Sequence, residues 1–120
     1  MRSMKQEPKV CDLSASLARM GGDTRLLRKI AEFFGDDSPE ILAQLKVALS
    51  EGNSAGVQHA AHSLKGLVAN FDADAAWGAA FRIEELGRAG NLASAADALP
   101  ELEREVSRLL ATLRAELGPA

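Results

Sequence analysis

The chain has 120 residues and a formal net charge of −3; hydrophobic residues make up 47% of it and aromatic residues 4%. This length suits one domain with a modest aliphatic core, and the hydrophobic fraction excludes a disordered chain. The charge gives no electrostatic footprint for nucleic acid. No apolar run is long enough to span a bilayer, so we expect no membrane partner. The single cysteine, Cys11, cannot form an internal disulfide, and we expect a cytoplasmic protein.

The first eleven residues differ from the rest of the chain. They are polar, contain Pro8 and show no hydrophobic periodicity, so we predict a flexible N-terminal tail over residues 1–11. Residues 12–118 follow as one domain. Its composition is rich in alanine and leucine, which favours helices, and no segment shows the alternation that is typical of a strand.

Two short helices are predicted at the start of this domain. Asp12 can cap the first, which ends near Gly21, and Asp23 can cap the second. The apolar stripe of the second helix ends in the Phe33–Phe34 pair, which we expect in the core. Residues 35–39 interrupt this helix, because they end in Ser-Pro, a pair typical of a new helix start.

Four longer helices follow, joined by short connections that make neighbouring helices antiparallel. They are predicted over about residues 39–50, 53–71, 74–89 and 93–117. Pro100 lies inside the last of them, so we expect a kink or a break there. The predicted fold is therefore all-α, an antiparallel up-down-up-down four-helix bundle with two short N-terminal helices.

The central predicted helix, residues 53–71, has one apolar face and an unusual outer face. His62 lies about 140° from the apolar stripe on a helical wheel and therefore points outward. Lys65 and Gly66 follow one turn later, next to His62 on the helix surface. Glycine inside a helix costs about 1 kcal/mol relative to alanine, and here it leaves the imidazole uncovered. The stripe itself recurs at three- and four-residue steps: Val57, Ala60, Ala61, Leu64, Val68 and Phe71.

The residues around His62 resemble the phosphorylation motif of histidine-containing phosphotransfer (HPt) domains, the relay proteins of multistep two-component signalling. The motif is His62-Ser63-Leu64-Lys65-Gly66, preceded by Ala60-Ala61 and followed by Ala69-Asn70-Phe71. Two further segments are similar to the family in the same order. Residues 13–34 resemble its opening, and residues 84–91 resemble the turn between its last two helices. The resemblance also implies the four-helix bundle.

Function is implied by the same resemblance. Nε2 of His62 would accept a phosphoryl group and exchange it with an aspartate on a response-regulator receiver domain. Lys65 would neutralise phosphoryl charge, and Gly66 would admit the partner's loops. A sensor or hybrid histidine kinase would feed the relay. The protein would be a monomer with no metal or cofactor of its own, because Mg²⁺ belongs to the receiver. Four further residues are predicted to contact the docked partner: Gln58, His59, Ala69 and Asn70.

Other interpretations remain open. The chain has no glycine-rich loop followed by Lys-Ser/Thr, so we do not expect an ATP-dependent enzyme. A chain cut from a longer protein could be the phosphoacceptor module of a chemotaxis-type or hybrid sensor kinase. A structural adaptor bundle would leave the Lys65–Gly66 pair unexplained. His59 and His62 could hold a metal at helical spacing, but no nearby Cys or His completes a site. Trp77 is expected in the core.

Overall fold

The computed structural model describes residues 9–118, which form four long helices and one short one. Each of the four long helices packs against the next one along the chain, and the first long helix also packs against the last, so the four close into a bundle. The predicted all-α, up-down-up-down architecture is confirmed, and residues 9–118 contain no strand. None of the helices in this part of the chain is both long and apolar enough to cross a membrane. The five helices are α1 (Leu13–Arg19), α2 (Thr24–Ser50), α3 (Ser54–Ala69), α4 (Asp74–Arg88) and α5 (Leu92–Leu117).

Side-chain caps fix where four of the five helices begin. In each case an Asp or Asn side chain accepts a hydrogen bond from a backbone N–H three residues later, which satisfies a donor that the helix leaves free. Asn53, for example, accepts from the backbone nitrogen of Gly56 at 2.9 Å and so starts α3. The capping residues are Asp12, Asp23, Asn53 and Asn91.

Helix α2 runs without interruption through the Ser38–Pro39 pair, so the predicted break over residues 35–39 is wrong. Consequently α1 is the only short helix in the described chain, and the second predicted short helix is the first part of α2. The reason lies in the tertiary packing of the helix. Pro39 faces solvent, while Phe34 and Leu45 on either side of it are completely buried. Burial of these side chains offsets the backbone hydrogen bond that proline cannot donate.

Helix α5 is likewise continuous across Pro100, so a break into two pieces did not occur. Pro100 is exposed, and Ala95 and Leu102 bury their side chains on either side of it. The predicted end of the central helix at Phe71 was two residues too late, because α3 ends at Ala69. Phe71 is still fully buried, in the connection to α4.

Two aromatic residues that were predicted in the core lie at the surface. Phe33 is 53% exposed and Trp77 is 39% exposed, so both predictions are wrong, whereas Phe34 is completely buried as expected. Successive residues on a helix point about 100° apart. The Phe33–Phe34 pair therefore could not place both rings in a core that α2 meets with one narrow face.

Helix α1 is fastened to the connection between α3 and α4. The backbone N–H of Asp12 donates to the carbonyl of Phe71 at 3.0 Å, and the buried hydroxyl of Ser16 donates to the carboxylate of Asp72 at 2.7 Å. Arg19 forms an ion pair with the same carboxylate. Asp72 has a φ of 51°, a left-handed conformation that aspartate tolerates better than most residues. The cap residue Asp12, together with Ser16 and Arg19 of α1, thus holds the segment that follows α3.

Two residues of the predicted tail take part in this packing. Val10 and Cys11 are partly buried and lie against the hydrophobic core. Burial raises the pKa of the Cys11 thiol, and the nearby carboxylates of Glu116 and Asp12 act in the same direction. The thiol is therefore kept in its protonated, less reactive form. The remainder of the predicted tail, residues 1–8, lies outside the described residues.

The ion pair of Asp72 predicts a pH-dependent stability. Bonding to Arg19, and then to Ser16, holds the pKa of the Asp72 carboxyl below its ordinary value of 3.8. Because this pKa is lower in the folded chain, the interaction stabilises the fold fully above pH 3.8 and is lost as the pH falls through the folded-state pKa. We expect Asp72→Asn to be less stable than wild type near neutral pH and the difference to shrink in acid. Urea unfolding across this range measures it, with Asp97→Asn, an exposed aspartate of α5, as control. A difference in stability between wild type and Asp72→Asn that stays constant at all pH values would show that the ionised carboxylate of Asp72 is not its source.

Candidate functional site

Helix α3 presents His62 to solvent, as the helical wheel predicts. The side chain of His62 is 65% exposed. Gly66, one turn further on, leaves the space beside the ring open, since a Cβ built at this position would meet no atom within 4 Å. The opposite face of the helix is buried through the predicted stripe: Val57, Ala60, Ala61, Leu64 and Val68. Core packing on one face thus fixes which residues α3 exposes on the other.

Close packing of α4 against α3 brings a carboxylate beneath His62. Gly87 makes this approach possible, because a Cβ there would lie 3.0 Å from the backbone nitrogen of Gln58 and 3.0 Å from a methyl group of Val57. Such contacts are too short for any residue larger than glycine without a shift of the helices. One turn before Gly87 on the same face of α4, Glu84 is almost completely buried.

Glu84 binds two residues of the histidine motif through its two oxygens. Nδ1 of His62 lies 2.9 Å from Oε2, and Nζ of Lys65 lies 2.7 Å from Oε1. The hydrogen bond from Lys65 is the main reason that the pKa of Glu84 is lowered; the bond from His62 acts in the same direction, while burial opposes both. Glu84 is therefore ionised and can only accept hydrogen bonds.

The ionised carboxylate determines how the imidazole ring is used. Because Oε2 of Glu84 can only accept, Nδ1 of His62 must carry the proton in their hydrogen bond. In the neutral ring the second nitrogen, Nε2, then holds the free lone pair. The same bond fixes the orientation of the ring and turns Nε2 away from the carboxylate. The arrangement is thus a surface imidazole with a preset tautomer and an open nucleophilic nitrogen.

Lys65 is a held cation and not a freely solvated one. Only 19% of its side chain is exposed. Trp77 and Phe81 of α4 stack on each other with ring centroids 5.1 Å apart, and the Lys65 ammonium lies 5.4 and 5.2 Å from these two rings. Cation–π attraction and the ion pair with Glu84 act together to fix its position. The exposure of both aromatic rings follows from this arrangement, because they cover Lys65 at the edge of the bundle.

A second cation, Arg88, lies near the carboxylate of Glu84 that holds the histidine. Its Nη2 is 3.7 Å from Oε2 of Glu84, and its Nη1 is bonded to the carboxylate of Glu85. With the amide of Gln58 turned so that its oxygen faces the guanidinium, that oxygen accepts from Nη2 and Nε of Arg88 at 3.3 and 3.2 Å. An open cleft lies next to the imidazole ring, and it is lined by Ala55, Gln58, His59, His62, Glu84 and Arg88.

The predicted site residues do not all come together. Gln58 and His59 line the cleft beside His62. Ala69 and Asn70 lie at the far end of α3, about 10 Å along the helix axis from His62. The amide of Asn70 donates to the carbonyl of Leu67 at 3.2 Å and is thereby engaged at the helix end. No group of three metal-ligating side chains forms among residues 9–118, at the two histidines or elsewhere.

Two residues of the site, Glu84 and Arg88, were not among the sequence-based candidates. The signal for Glu84 was present, because this residue falls within the apolar stripe of α4, and a carboxylate on a buried face requires a cationic or hydrogen-bonding partner. Arg88 follows Glu84 by four residues, the spacing of an ion pair on one helix face. Neither signal identifies His62 or Lys65 as the partner, since that depends on how α3 and α4 pack.

Comparison with known proteins agrees with the observed helical bundle. The model of the Hpt domain matches residues 29–112, and the chain therefore belongs to the Hpt domain family of histidine phosphotransfer proteins. The chain is also similar to the crystal structure of histidine-containing phosphotransfer protein B (HptB) from Pseudomonas aeruginosa PAO1. The TM-score is 0.84 at 26% sequence identity, over 92% of this chain and 96% of that one. No match was found among curated protein sequences.

Proposed function

We propose that this protein is a phosphorelay carrier in which Nε2 of His62 exchanges a phosphoryl group with an aspartate of a response-regulator receiver domain. The observation that carries the proposal is the bond from Nδ1 of His62 to Glu84, which leaves Nε2 as a free nucleophile outside the bundle. Membership of the Hpt domain family and the similarity to HptB support it. A sensor or hybrid histidine kinase would supply the phosphate to the relay, and the carrier itself would be a cytoplasmic monomer without kinase activity.

The transfer step requires only groups that the site or the receiver provides. The lone pair of Nε2 forms the N–P bond while the P–O bond to the receiver's aspartate breaks, and the aspartate leaves with that electron pair. The imidazole, still protonated at Nδ1, then carries a positive charge that the ionised Glu84 compensates at 2.9 Å. The reverse transfer uses the same groups. Mg²⁺ would be held by the receiver and would supply charge neutralisation at the phosphoryl group.

Lys65 would stabilise phosphoryl charge chiefly by neutralising Glu84. An uncompensated carboxylate next to the ring would repel an incoming phosphoryl group. With the Lys65 ammonium 2.7 Å from Oε1, the pair presents little net charge while the other oxygen still orients the ring. In this proposal Lys65 is a positioning residue, and it acts on the phosphoryl group through Glu84.

Gly66 would keep a docking surface open for the receiver. We expect Gly66→Leu to reduce receiver affinity about tenfold or more, which corresponds to only about 1.4 kcal/mol of lost contact energy. The folded state should not suffer, because the new side chain enters open space and glycine is a poor helix former. Titration calorimetry with the receiver and thermal unfolding would separate the two effects. Gly78→Leu is a matched control, since Gly78 is an exposed glycine within α4 that also faces open space. Equal affinity of the two variants would count against the open-surface role.

The proposal is tested by incubating the protein with receiver domains that carry a ³²P-labelled aspartyl phosphate. We expect label on the carrier that is stable in alkali and labile in acid, as phosphohistidine is, and a labelled peptide that contains His62. Addition of unphosphorylated receiver should remove the label again. Label on another residue would refute the proposed function. So would the absence of label with every receiver domain that the same genome encodes.

A further inference from the structure

The cleft beside His62 contains an arginine whose role neither the ion pair of Lys65 nor the core explains. Arg88 is the last residue of α4 and lies one turn beyond Glu84. Its guanidinium and the imidazole approach the same oxygen of Glu84, at 3.7 and 2.9 Å respectively. The two groups are therefore neighbours across one carboxylate, and both line the open cleft.

Arg88 differs from Lys65 in how firmly it is held. The Lys65 side chain is mostly covered and directly bonded to Glu84, whereas 53% of the Arg88 side chain is exposed and its distance to Glu84 is too long for a hydrogen bond. The close partner of its Nη1 is Glu85, an ion pair at the surface. Such pairs contribute little to stability. A stronger anion could therefore draw the Nη1–Nη2 edge away from Glu85 at small cost.

We propose that Arg88 binds the oxygens of the phosphoryl group on Nε2 of His62 and so stabilises the phosphorylated carrier. The inference rests on the proposed function. Because Nδ1 is bonded to Glu84, a phosphoryl group on Nε2 projects away from that carboxylate. The imidazole ring that carries this group borders the same open cleft as the guanidinium of Arg88. The planar guanidinium can donate two parallel hydrogen bonds to phosphoryl oxygens, which an ammonium cannot do. Gln58 is a positioning residue in this arrangement, since its amide oxygen can hold Nε and Nη2 in plane.

The proposal separates two roles for the cations of the site. Lys65 balances the charge of Glu84 before and after transfer, whereas Arg88 interacts with phosphorus-bound oxygens only after the N–P bond has formed. Loss of Arg88 should consequently leave the unphosphorylated protein nearly unchanged. It should shift the equilibrium of transfer toward the receiver, because only the phosphorylated carrier loses an interaction.

Arg88→Ala tests this inference. We expect the ratio of phosphorylated carrier to phosphorylated receiver at equilibrium to fall about tenfold, the size expected for the loss of a hydrogen bond to a charged group. Arg88→Lys should recover only part of this loss, because it restores the charge without the planar fork. Arg82→Ala, which removes an exposed arginine of α4 that lines a different cleft, is the control and should match wild type.

A second measurement removes the receiver from the comparison. His62 can be phosphorylated with phosphoramidate, and the ³¹P chemical shift of the phosphohistidine should differ between wild type and Arg88→Ala but not between wild type and Arg82→Ala. Equal ³¹P shifts and equal transfer equilibria in labelled proteins would overturn the role of Arg88 while leaving the carrier function intact. A change in receiver affinity alone would assign Arg88 to docking and would also overturn the inference. Absence of label on wild type would instead refute the carrier function itself.

Discussion

His62→Gln is expected to abolish phosphoryl uptake from a phosphorylated receiver, because the variant has no ring nitrogen that can form the N–P bond. Helical content should be unchanged, and the free energy of unfolding should change by less than about 1 kcal/mol, since the side chain is mostly exposed. The glutamine amide can still donate a hydrogen bond to Glu84, so the buried carboxylate keeps a second partner beside Lys65. Label transfer and circular dichroism on the same preparation measure both effects.

His59→Gln is the matched control for this experiment. His59 is also exposed, lies one turn before His62 on α3 and borders the same cleft, but of these two histidines only His62 is hydrogen-bonded to Glu84. We expect His59→Gln to take up label to the same extent as wild type, with at most a change in rate that reflects docking. Loss of all label in the His59 variant, or normal label in the His62 variant, would show that the acceptor was assigned to the wrong residue.

The second large effect is expected at the ion pair between Lys65 and Glu84. Lys65→Met retains the apolar stem of lysine against Trp77 and Phe81 but removes the ammonium. The variant leaves Glu84 as a buried carboxylate without its closest cation, and we expect a loss of about 3 kcal/mol in the free energy of unfolding. Uptake of the phosphoryl group should slow about tenfold, because the unbalanced charge repels it.

A double-mutant cycle distinguishes charge balance from simple packing at this pair. Glu84→Gln keeps an oxygen that can accept from Nδ1 of His62, and in the double variant with Lys65→Met no buried charge remains unpaired. We therefore expect the double variant to recover most of the stability that Lys65→Met loses, with a coupling energy of about 2–3 kcal/mol. Urea unfolding of wild type, both single variants and the double variant provides this number. Additive losses would mean that the ammonium of Lys65 stabilises the fold independently of Glu84, through its contact with the rings of Trp77 and Phe81.

The position of His62 could be predicted from the sequence because it depends on one helix. The apolar stripe of α3 fixes the buried face, and a residue that lies far from this stripe on the wheel must face solvent. The cap at Asn53 and the glycine at position 66 are equally local signals. These features follow from the period of the helix, so neighbouring helices do not alter them.

The continuity of α2 and α5 could not be predicted by the same local rules. Proline inside a helix removes one hydrogen bond, and the sequence therefore favours a break at Pro39 and at Pro100. Both rings face solvent in the structure, and the buried residues on either side hold each helix to the core. Whether packing outweighs the missing hydrogen bond depends on contacts between helices that are distant in sequence.

The participation of Glu84 and Arg88 illustrates the same limit at the site. Glu84 is 22 residues from His62, and their hydrogen bond exists because Gly87 lets α4 approach α3 closely. The prediction for Trp77 was wrong for a related reason. An exposed tryptophan is unusual in a small bundle, and the need for it becomes visible only when Lys65 is found beneath its ring.

Trp77 is the only tryptophan in the chain, and the ammonium of Lys65 lies 5.4 Å from its ring centroid. The emission of an indole responds to the electric field of a charge at such a distance. Any event that displaces the ammonium, whether the arrival of phosphate or the docking of a partner, should therefore alter the intrinsic fluorescence. Trp77 would thus serve as a built-in optical reporter of the proposed phosphoryl transfer, without dye or isotope.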